Sequence, residues 1–145
     1  MKRTYRSAGA IVVSGDSTNA TTLLLEQIRT SGERQVVAPK GTIEAGESPL
    51  AAAVREVCEE AGLSELTYVA FLGQQRYSFT DRDGEVADKT IDWFLFATQS
   101  QDITPRAAEG FVAAKWLPLD QAITAATHSG FARYLERARD IVTRG

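Results

Sequence analysis

The sequence predicts an α/β fold in which helices pack on both faces of a mixed β-sheet. Strand-like segments precede and follow one helix whose two ends are clearly marked, and a second amphipathic helix closes the chain. The 145 residues, of which 43% are apolar, suffice for one well-buried domain and are too few for two ordinary ones. We therefore expect a single domain over residues 1–145.

Three short strands are expected before the central helix. Periodicity predicts strands at residues 7–13, 22–28 and 36–38, separated by the turn-rich segments GDSTNA and TSGER. The segment PKGTIEAGE that follows contains two glycines and a proline, so we expect it to form an irregular loop.

The central helix is marked at both ends. Ser48 can accept a hydrogen bond from a free amide of the first turn, Pro49 has the φ of a first helical residue, and Gly62 suits a left-handed residue after the last turn. Cys58 is predicted to be a buried, inert thiol. Apolar residues at steps of three and four predict one buried stripe, which consists of Leu50, Ala53, Val54, Val57 and Ala61.

Further strands and helices are expected after the central helix. Strands are predicted at residues 66–79, 89–98 and 111–117, and the sequence DRDG supplies a turn after the first of them. A short helix from Pro118 through Ala126 should follow. His128 is expected to cap the last helix or to lie on its surface. The last helix has an apolar stripe that consists of Phe131, Tyr134, Leu135, Ala138, Ile141 and Val142.

Three glutamates lie near the C-terminal end of the central helix, where the backbone dipole disfavours carboxylates: Glu56, Glu59 and Glu60. Their like-charged pairs at i,i+3 and i,i+4 each cost about 0.2–0.5 kcal/mol, and Arg55 alone cannot neutralise three carboxylates. At about 100° per residue the glutamates border the apolar stripe, which suggests the edge of a cleft. A hard divalent cation, Mg²⁺ or Mn²⁺, would offset the repulsion; the alternative interpretation is a solvated acidic face.

The residues around these glutamates resemble the Nudix box. The matching positions, all at the spacing of that family, are Gly41, Glu47, Arg55, Glu56, Val57, Glu59, Glu60, Gly62 and Leu63. The resemblance to the Nudix hydrolase family implies a Nudix-type α/β/α sandwich around a mixed sheet. It also implies hydrolysis of a nucleoside diphosphate linked to another group.

The same resemblance implies roles for the box residues. Glu56, Glu59 and Glu60 would be ligands of Mg²⁺ or Mn²⁺, and Gly41 would add its main-chain carbonyl. Arg55 and Glu47 would hold the loop against the helix. Within the box Glu56 is the better-placed general base, but carboxylates outside it serve in some family members. Glu109, on the loop before the last strand, is the candidate of that kind, and its alternative is an ordinary solvated glutamate.

Several residues outside the helix are candidate substrate contacts. Lys40 directly precedes Gly41 in a Pro-Lys-Gly run like that of many Nudix enzymes, where such a lysine reaches a phosphate. Lys89 begins the KTIDWFLFA strand and is a second candidate for a phosphate contact. Tyr77, Phe79 and Trp93 could stack on a base. The alternatives are surface positions for the lysines and core positions for the aromatic residues.

The segments APKG, KTIDWF and WLPLDQA are similar to those of small Nudix enzymes that act on dinucleoside polyphosphates and related nucleotide pyrophosphates. We therefore expect such a substrate. The alternatives are ordinary or oxidised nucleoside triphosphates, ADP-ribose or another nucleotide sugar. A nucleotide sensor that keeps the fold without turnover is an alternative of a different class.

Composition limits the partners. A net charge of −3 argues against binding a nucleic acid polymer through its phosphates, so an anionic small molecule would need local cations and a metal ion. The first residues do not fit a signal peptide, and no apolar run approaches the ~18 residues of a membrane span. The single cysteine favours a reducing, cytoplasmic setting, and a homodimer remains open.

Overall fold

A computed structural model describes residues 3–16, 19–126 and 129–144. His128 lies outside these ranges, so its predicted position is not tested. Seven strands form one mixed sheet: β1 (Arg3–Ser14), β2 (Thr21–Ile28), β3 (Arg34–Val37), β4 (Lys40–Thr42), β5 (Thr67–Thr80), β6 (Val86–Thr98) and β7 (Phe111–Pro118). The α-helices are α1 (Pro49–Ala61), α2 (Leu119–Ala125) and α3 (Ala132–Arg144), and a short 3₁₀ turn covers Ala107–Glu109.

The strand order confirms the predicted mixed sheet. The main path runs β3-β2-β1-β6-β5, while β4 pairs with β1 and β7 pairs with β2. Only the β1–β6 pairing is parallel, and the other pairings of the described strands are antiparallel.

Two hydrophobic cores lie on opposite faces of this sheet, as the predicted α/β/α sandwich requires. One core joins the buried stripe of α1 to side chains of β1, β2 and β6, among them Val57, Leu23 and Phe96. The other joins α2 and α3 to the opposite faces of the same strands through residues such as Tyr134 and Leu135. No helix among the described residues is long and apolar enough to cross a membrane.

One strand replaces part of the predicted loop. Lys40, Gly41 and Thr42 form β4 and lie opposite Gly9, Ala8 and Ser7 of β1. The cause is tertiary: β2 pairs with only the last two residues of β1, Val13 and Ser14, so the first half of that edge is available to another strand. The loop prediction was wrong for these three residues.

Trp93 is a core residue, so the prediction that it could stack on a base was wrong. Its side chain is 1% exposed, and its ring lies 5.9 Å from the rings of both Phe131 and Tyr134. The indole also covers the backbone of Gly9, where an added Cβ would come within 2.5 Å of Cζ3. The absence of a side chain at Gly9 therefore leaves the space that the ring fills.

The exposure of Cys58 also differs from the prediction, since its side chain is exposed. The apolar stripe of α1 includes Val57, which is fully buried, and the next residue is turned by about 100° around the helix axis. That rotation carries the thiol away from the core.

Candidate active site

The sequence fixes α1 at both ends, and this fixes which side chains its edge presents. The hydroxyl of Ser48 accepts a hydrogen bond from the amide of Ala51 at 3.1 Å, as predicted for the N-cap. Gly62 adopts φ 68° after the last turn, and its amide donates to the carbonyl of Cys58 at 3.0 Å. With the stripe turned to the core, Glu56 and Glu60 lie on the buried edge of the helix.

Arg55 joins the loop before α1 to the helix. Its Nε and Nη2 atoms donate to the two carboxylate oxygens of Glu47 at 2.8 and 2.9 Å. Nη2 also donates to the carbonyl of Thr42 at 2.9 Å, and Nη1 donates to Glu56 at 2.7 Å and to Glu59 at 3.2 Å. Bidentate guanidinium–carboxylate pairs are strong and directional, so this network holds the loop in one position against the helix.

Glu47 is the anionic partner that makes this network rigid. Its Oε1 also accepts a hydrogen bond from the amide of Glu44 at 3.1 Å. The hydrogen bonds from the Arg55 side chain, followed by that amide, lower the pKa of Glu47 to about 2. The carboxylate is therefore ionised throughout the neutral range.

Glu56 and Glu60 form a buried carboxyl pair. Glu60 is 3% and Glu56 9% exposed, and an oxygen of Glu60 accepts a hydrogen bond from the backbone amide of Lys40 at 3.2 Å. Burial, together with the hydrogen bond and negative charge of Glu56, raises the pKa of Glu60 far above its usual range. Glu60 therefore favours its protonated form when no cation is bound.

Gly41 makes room for this pair. A Cβ at that position would overlap the carboxyl group of Glu56, so a side chain on β4 would displace a carboxylate from the site. This close approach is the physical reason for a glycine here. Whether its carbonyl binds a cation stays a prediction.

The carboxyl oxygens match the chemistry of a hard divalent cation. Among the described residues, no three acidic, cysteine or histidine side chains are grouped as ligands in their present rotamers. The reason is that Arg55 occupies one oxygen of Glu56 and one of Glu59, while Glu56 and Glu60 contact each other. A divalent cation would favour the ionised form of Glu60 and relieve the repulsion between these carboxylates, so the residues present fit Mg²⁺ or Mn²⁺.

The carboxylates open into a cavity of about 610 Å³. Glu109 contributes to its wall, so the structure brings this residue of a distant loop to the box glutamates. The Glu109 carboxylate is 46% exposed and lies 3.5 Å from Nη1 of Arg106, and its backbone carbonyl accepts a hydrogen bond from Gln27 at 3.2 Å. The lining residues include Gln27, Lys40, Gly41, Thr42, Glu56, Glu59, Glu60, Glu109 and Phe111.

A second cavity of about 640 Å³ lies next to the first and forms a groove on the α2–α3 side of the sheet. Lys40 lines both cavities and Tyr77 lines the groove. Burial lowers the pKa of Lys40, and the positive charge of nearby Lys89 lowers it further. Within the described part of the chain neither ammonium forms a salt bridge with a carboxylate, although the negative charge of Glu60 acts on Lys40 in the opposite sense, so the two lysines form a local cationic region.

Phe79 is a candidate that lies away from this groove. Phe79 packs against Tyr5 and Tyr77 and lines a separate cavity near Asp81.

Gln75 lines the groove, but no pattern in the sequence marks it as a site residue. Only its spacing of two from Tyr77 on a strand, which puts both side chains on one face, could have indicated it.

Comparisons with known proteins identify the family of this chain. The sequence model of the NUDIX domain family matches residues 3–138 of this chain. The chain is 33% identical over 110 residues to the asymmetrical bis(5'-nucleosyl)-tetraphosphatase of Sus scrofa, which covers 74% of this chain and 70% of the relative.

Two solved structures share the fold. A Caenorhabditis elegans Ap4A hydrolase in a binary complex has a TM-score of 0.77 at 21% identity, over 97% of this chain and 99% of that one. The NUDIX domain of Shewanella oneidensis NrtR complexed with ADP ribose has a TM-score of 0.74 at 17% identity, over 99% and 91% of the two chains.

The Arg55–Glu47 pair predicts a pH-dependent stability. Because the folded pKa of Glu47 is depressed to about 2, its contribution is fully present above the unfolded pKa of about 4.5 and is lost as pH falls toward 2. In EDTA, the Glu47→Gln variant should therefore be less stable than the parent at pH 6, and the difference should shrink as pH is lowered. Urea denaturation of parent and variant between pH 6 and pH 2.5 measures the difference in the free energy of unfolding and its change with pH.

Glu65→Gln is the matched control, because Glu65 is an exposed glutamate away from Arg55. It should track the parent over the same range. A Glu47→Gln deficit that is the same at every pH would contradict the ion pair as its cause.

Proposed function

Because the chain belongs to the NUDIX family, we propose that it hydrolyses dinucleoside polyphosphates or related nucleotide pyrophosphates with Mg²⁺ or Mn²⁺ bound to the carboxylates of α1. The reaction class follows from the family: the chain is a pyrophosphohydrolase that acts on phosphoric anhydride bonds. The 33%-identical relative is a bis(5'-nucleosyl)-tetraphosphatase, which supports the choice of substrate.

The observation that carries the proposal is the buried pair Glu56–Glu60 beside Lys40 and Lys89, neither of which forms a salt bridge among the described residues. Two carboxylates in contact favour a cation, and two ammonium groups without carboxylate partners favour an anion. A polyphosphate with a divalent cation supplies both charges. Glu56, Glu59 and Glu60, with the carbonyl of Gly41, would hold the cation. When bound, it neutralises phosphate charge and lowers the pKa of a water molecule.

The residues of the chain itself then bind and orient the substrate. Lys40 faces both cavities, so its ammonium can contact phosphates next to the carboxylates. Lys89 lies opposite Tyr77 in the β5–β6 pairing, and its positive charge acts on that of Lys40, so it can add to the cationic region. A nucleoside that follows these phosphates would lie in the groove, against the ring of Tyr77.

Glu109 is our candidate for the general base. Glu56 is already bound by Arg55 and paired with Glu60, whereas Glu109 is half-exposed and lines the same cavity. A carboxylate at the cavity wall can accept a proton from an attacking water without leaving the site.

Glu60→Gln tests the metal assignment. The amide keeps an acceptor for the Lys40 amide and adds a donor for Glu56, so in EDTA the variant should be as stable as the parent or slightly more stable. Mn²⁺ at about a hundred times its Kd should stabilise the folded parent by about 2.7 kcal/mol and so raise its Tm. The variant should lose this rise in Tm and most of its turnover.

Thermal unfolding with and without Mn²⁺, and turnover at the same Mn²⁺ concentration, measure these outcomes. Glu65→Gln should keep both the Tm rise and the activity. Parent-like turnover by Glu60→Gln at ordinary Mn²⁺ concentration would remove Glu60 from the metal site.

Glu109→Gln tests the base. It should lower kcat by about 10²- to 10⁴-fold and leave KM and the Mn²⁺-induced rise in Tm unchanged. Arg106→Ala, which removes the neighbouring cation 3.5 Å away, is the control and should keep kcat. If Glu109→Gln retains the parental kcat, the base is another group.

A substrate panel tests the substrate class. We expect the parent to cleave dinucleoside polyphosphates faster than nucleoside triphosphates or ADP-ribose. Lys89→Ala should raise KM more as the substrate lengthens from three to five phosphates, because a lost charge pair near 4 Å is worth about 1 kcal/mol, or about fivefold. Chromatography of the products gives rates and the cleaved bond.

Lys115→Ala is the control for a lost lysine, since Lys115 is paired with Glu26 at 3.0 Å. It should show no dependence on phosphate number. Equal losses for Lys89→Ala at every length would remove Lys89 from the phosphate site, and a parent that prefers ADP-ribose would overturn the substrate class.

A further inference from the structure

Gln75 is a residue of the groove wall outside the cavity that the carboxylates line. It lies on β5 opposite Ile91 of β6, two residues before Tyr77 and on the same strand face. Its side chain borders both the groove and a neighbouring cavity at the start of α3. A ligand that extends from Lys40 along the groove would therefore reach the amide of Gln75.

The core fixes the orientation of this amide. Nε1 of Trp93 donates a hydrogen bond to Oε1 of Gln75 at 3.0 Å. Because an indole N–H is only a donor, the atom facing it must be the amide oxygen, and the NH₂ group points the other way. Trp93 packs against Phe131 and Tyr134, so the position of its N–H donor is fixed by the core.

The NH₂ group of Gln75 is left as a donor without a protein acceptor within the described residues. It lies against Gly130, where an added Cβ would overlap Nε2. Gly130 is not among the glycines with positive φ, so its backbone does not require glycine. The missing side chain leaves space for the amide at the groove wall.

We propose that Gln75 is a specificity-determining residue whose NH₂ group donates a hydrogen bond to an acceptor on the nucleobase in the groove, such as a ring nitrogen of adenine. The inference rests on the proposed function, because the phosphates bound at Lys40 and Lys89 direct the nucleoside into the groove. The donor contacts a part of the substrate that does not react. It therefore binds ground state and transition state equally and acts on KM.

Gln75→Glu is the first test, because it keeps an acceptor for Trp93 and removes the NH₂ donor. KM for an adenine substrate should rise about tenfold with kcat unchanged, and near-ultraviolet circular dichroism should match the parent. Gln75→Met, which has no added charge, should give a similar rise in KM. Gln99→Glu, an exposed glutamine away from the groove, is the control and should leave KM unchanged.

Substrates with 1-deaza, 3-deaza or 7-deaza adenine identify the acceptor. The parent should lose about tenfold in kcat/KM on one of the three, and Gln75→Glu should lose nothing further on that one. A purely structural role would lower activity on all three analogues alike in the variant. That outcome, or an unchanged KM in both Gln75 variants, overturns the inference.

Gly130→Ala moves the amide without changing Gln75. The added methyl group would meet only the end of a flexible side chain, so Tm should stay close to the parent while KM rises as in Gln75→Glu. An unchanged KM would show that the position of the amide does not matter and would count against the proposal.

Calorimetric binding of AMP and its three deaza analogues separates this inference from the proposed function. If the parent cleaves no dinucleoside polyphosphate but binds AMP through Gln75, the proposed function fails and the inference stands. If the parent cleaves dinucleoside polyphosphates and all variants bind AMP with the parental affinity, only the inference fails. A parent that binds no adenine nucleotide overturns both.

Discussion

The position of the site depends on one guanidinium group. Arg55 donates to Glu47, Glu56, Glu59 and the carbonyl of Thr42, so a single side chain offsets carboxylates that the negative end of α1 would otherwise disfavour. The same contacts draw the preceding loop against the helix. A lysine could not replace it, because a compact ammonium lacks the planar set of donors that reaches several partners at once.

This attachment also brings the acidic edge of α1 next to Lys40. The loop held by Arg55 continues from β4, whose first residue, Lys40, donates its amide to Glu60 while its side chain lines both cavities. Closely spaced carboxyl groups and two lysines that form no salt bridge among the described residues thus lie side by side. Each group is costly alone, and a cation together with a polyphosphate would offset both costs.

The sequence predicts best those features that depend on neighbouring residues. The caps Ser48 and Gly62 and the box spacing are local, so the helix ends and the acidic edge follow from them directly. Pairing of β4 depends on an edge of β1 that another strand leaves free, which no local pattern records. Alternation along β6 placed Lys89 and Trp93 on one face, but only the space above Gly9 shows that the indole enters the core.

The site residues divide in the same way. Glu109 reaches the box glutamates only through the fold, and Gln75 has no pattern of its own, because a glutamine on an exposed strand is ordinary. Its proposed role comes from Trp93, one of the three aromatic residues that the sequence offered as candidates for stacking on a base. The indole acts instead from inside the core, where its single donor decides which end of an amide faces the groove. Recognition of the base would then depend on the packing of Trp93 between Phe131 and Tyr134, so core rigidity and substrate selectivity would share one cause.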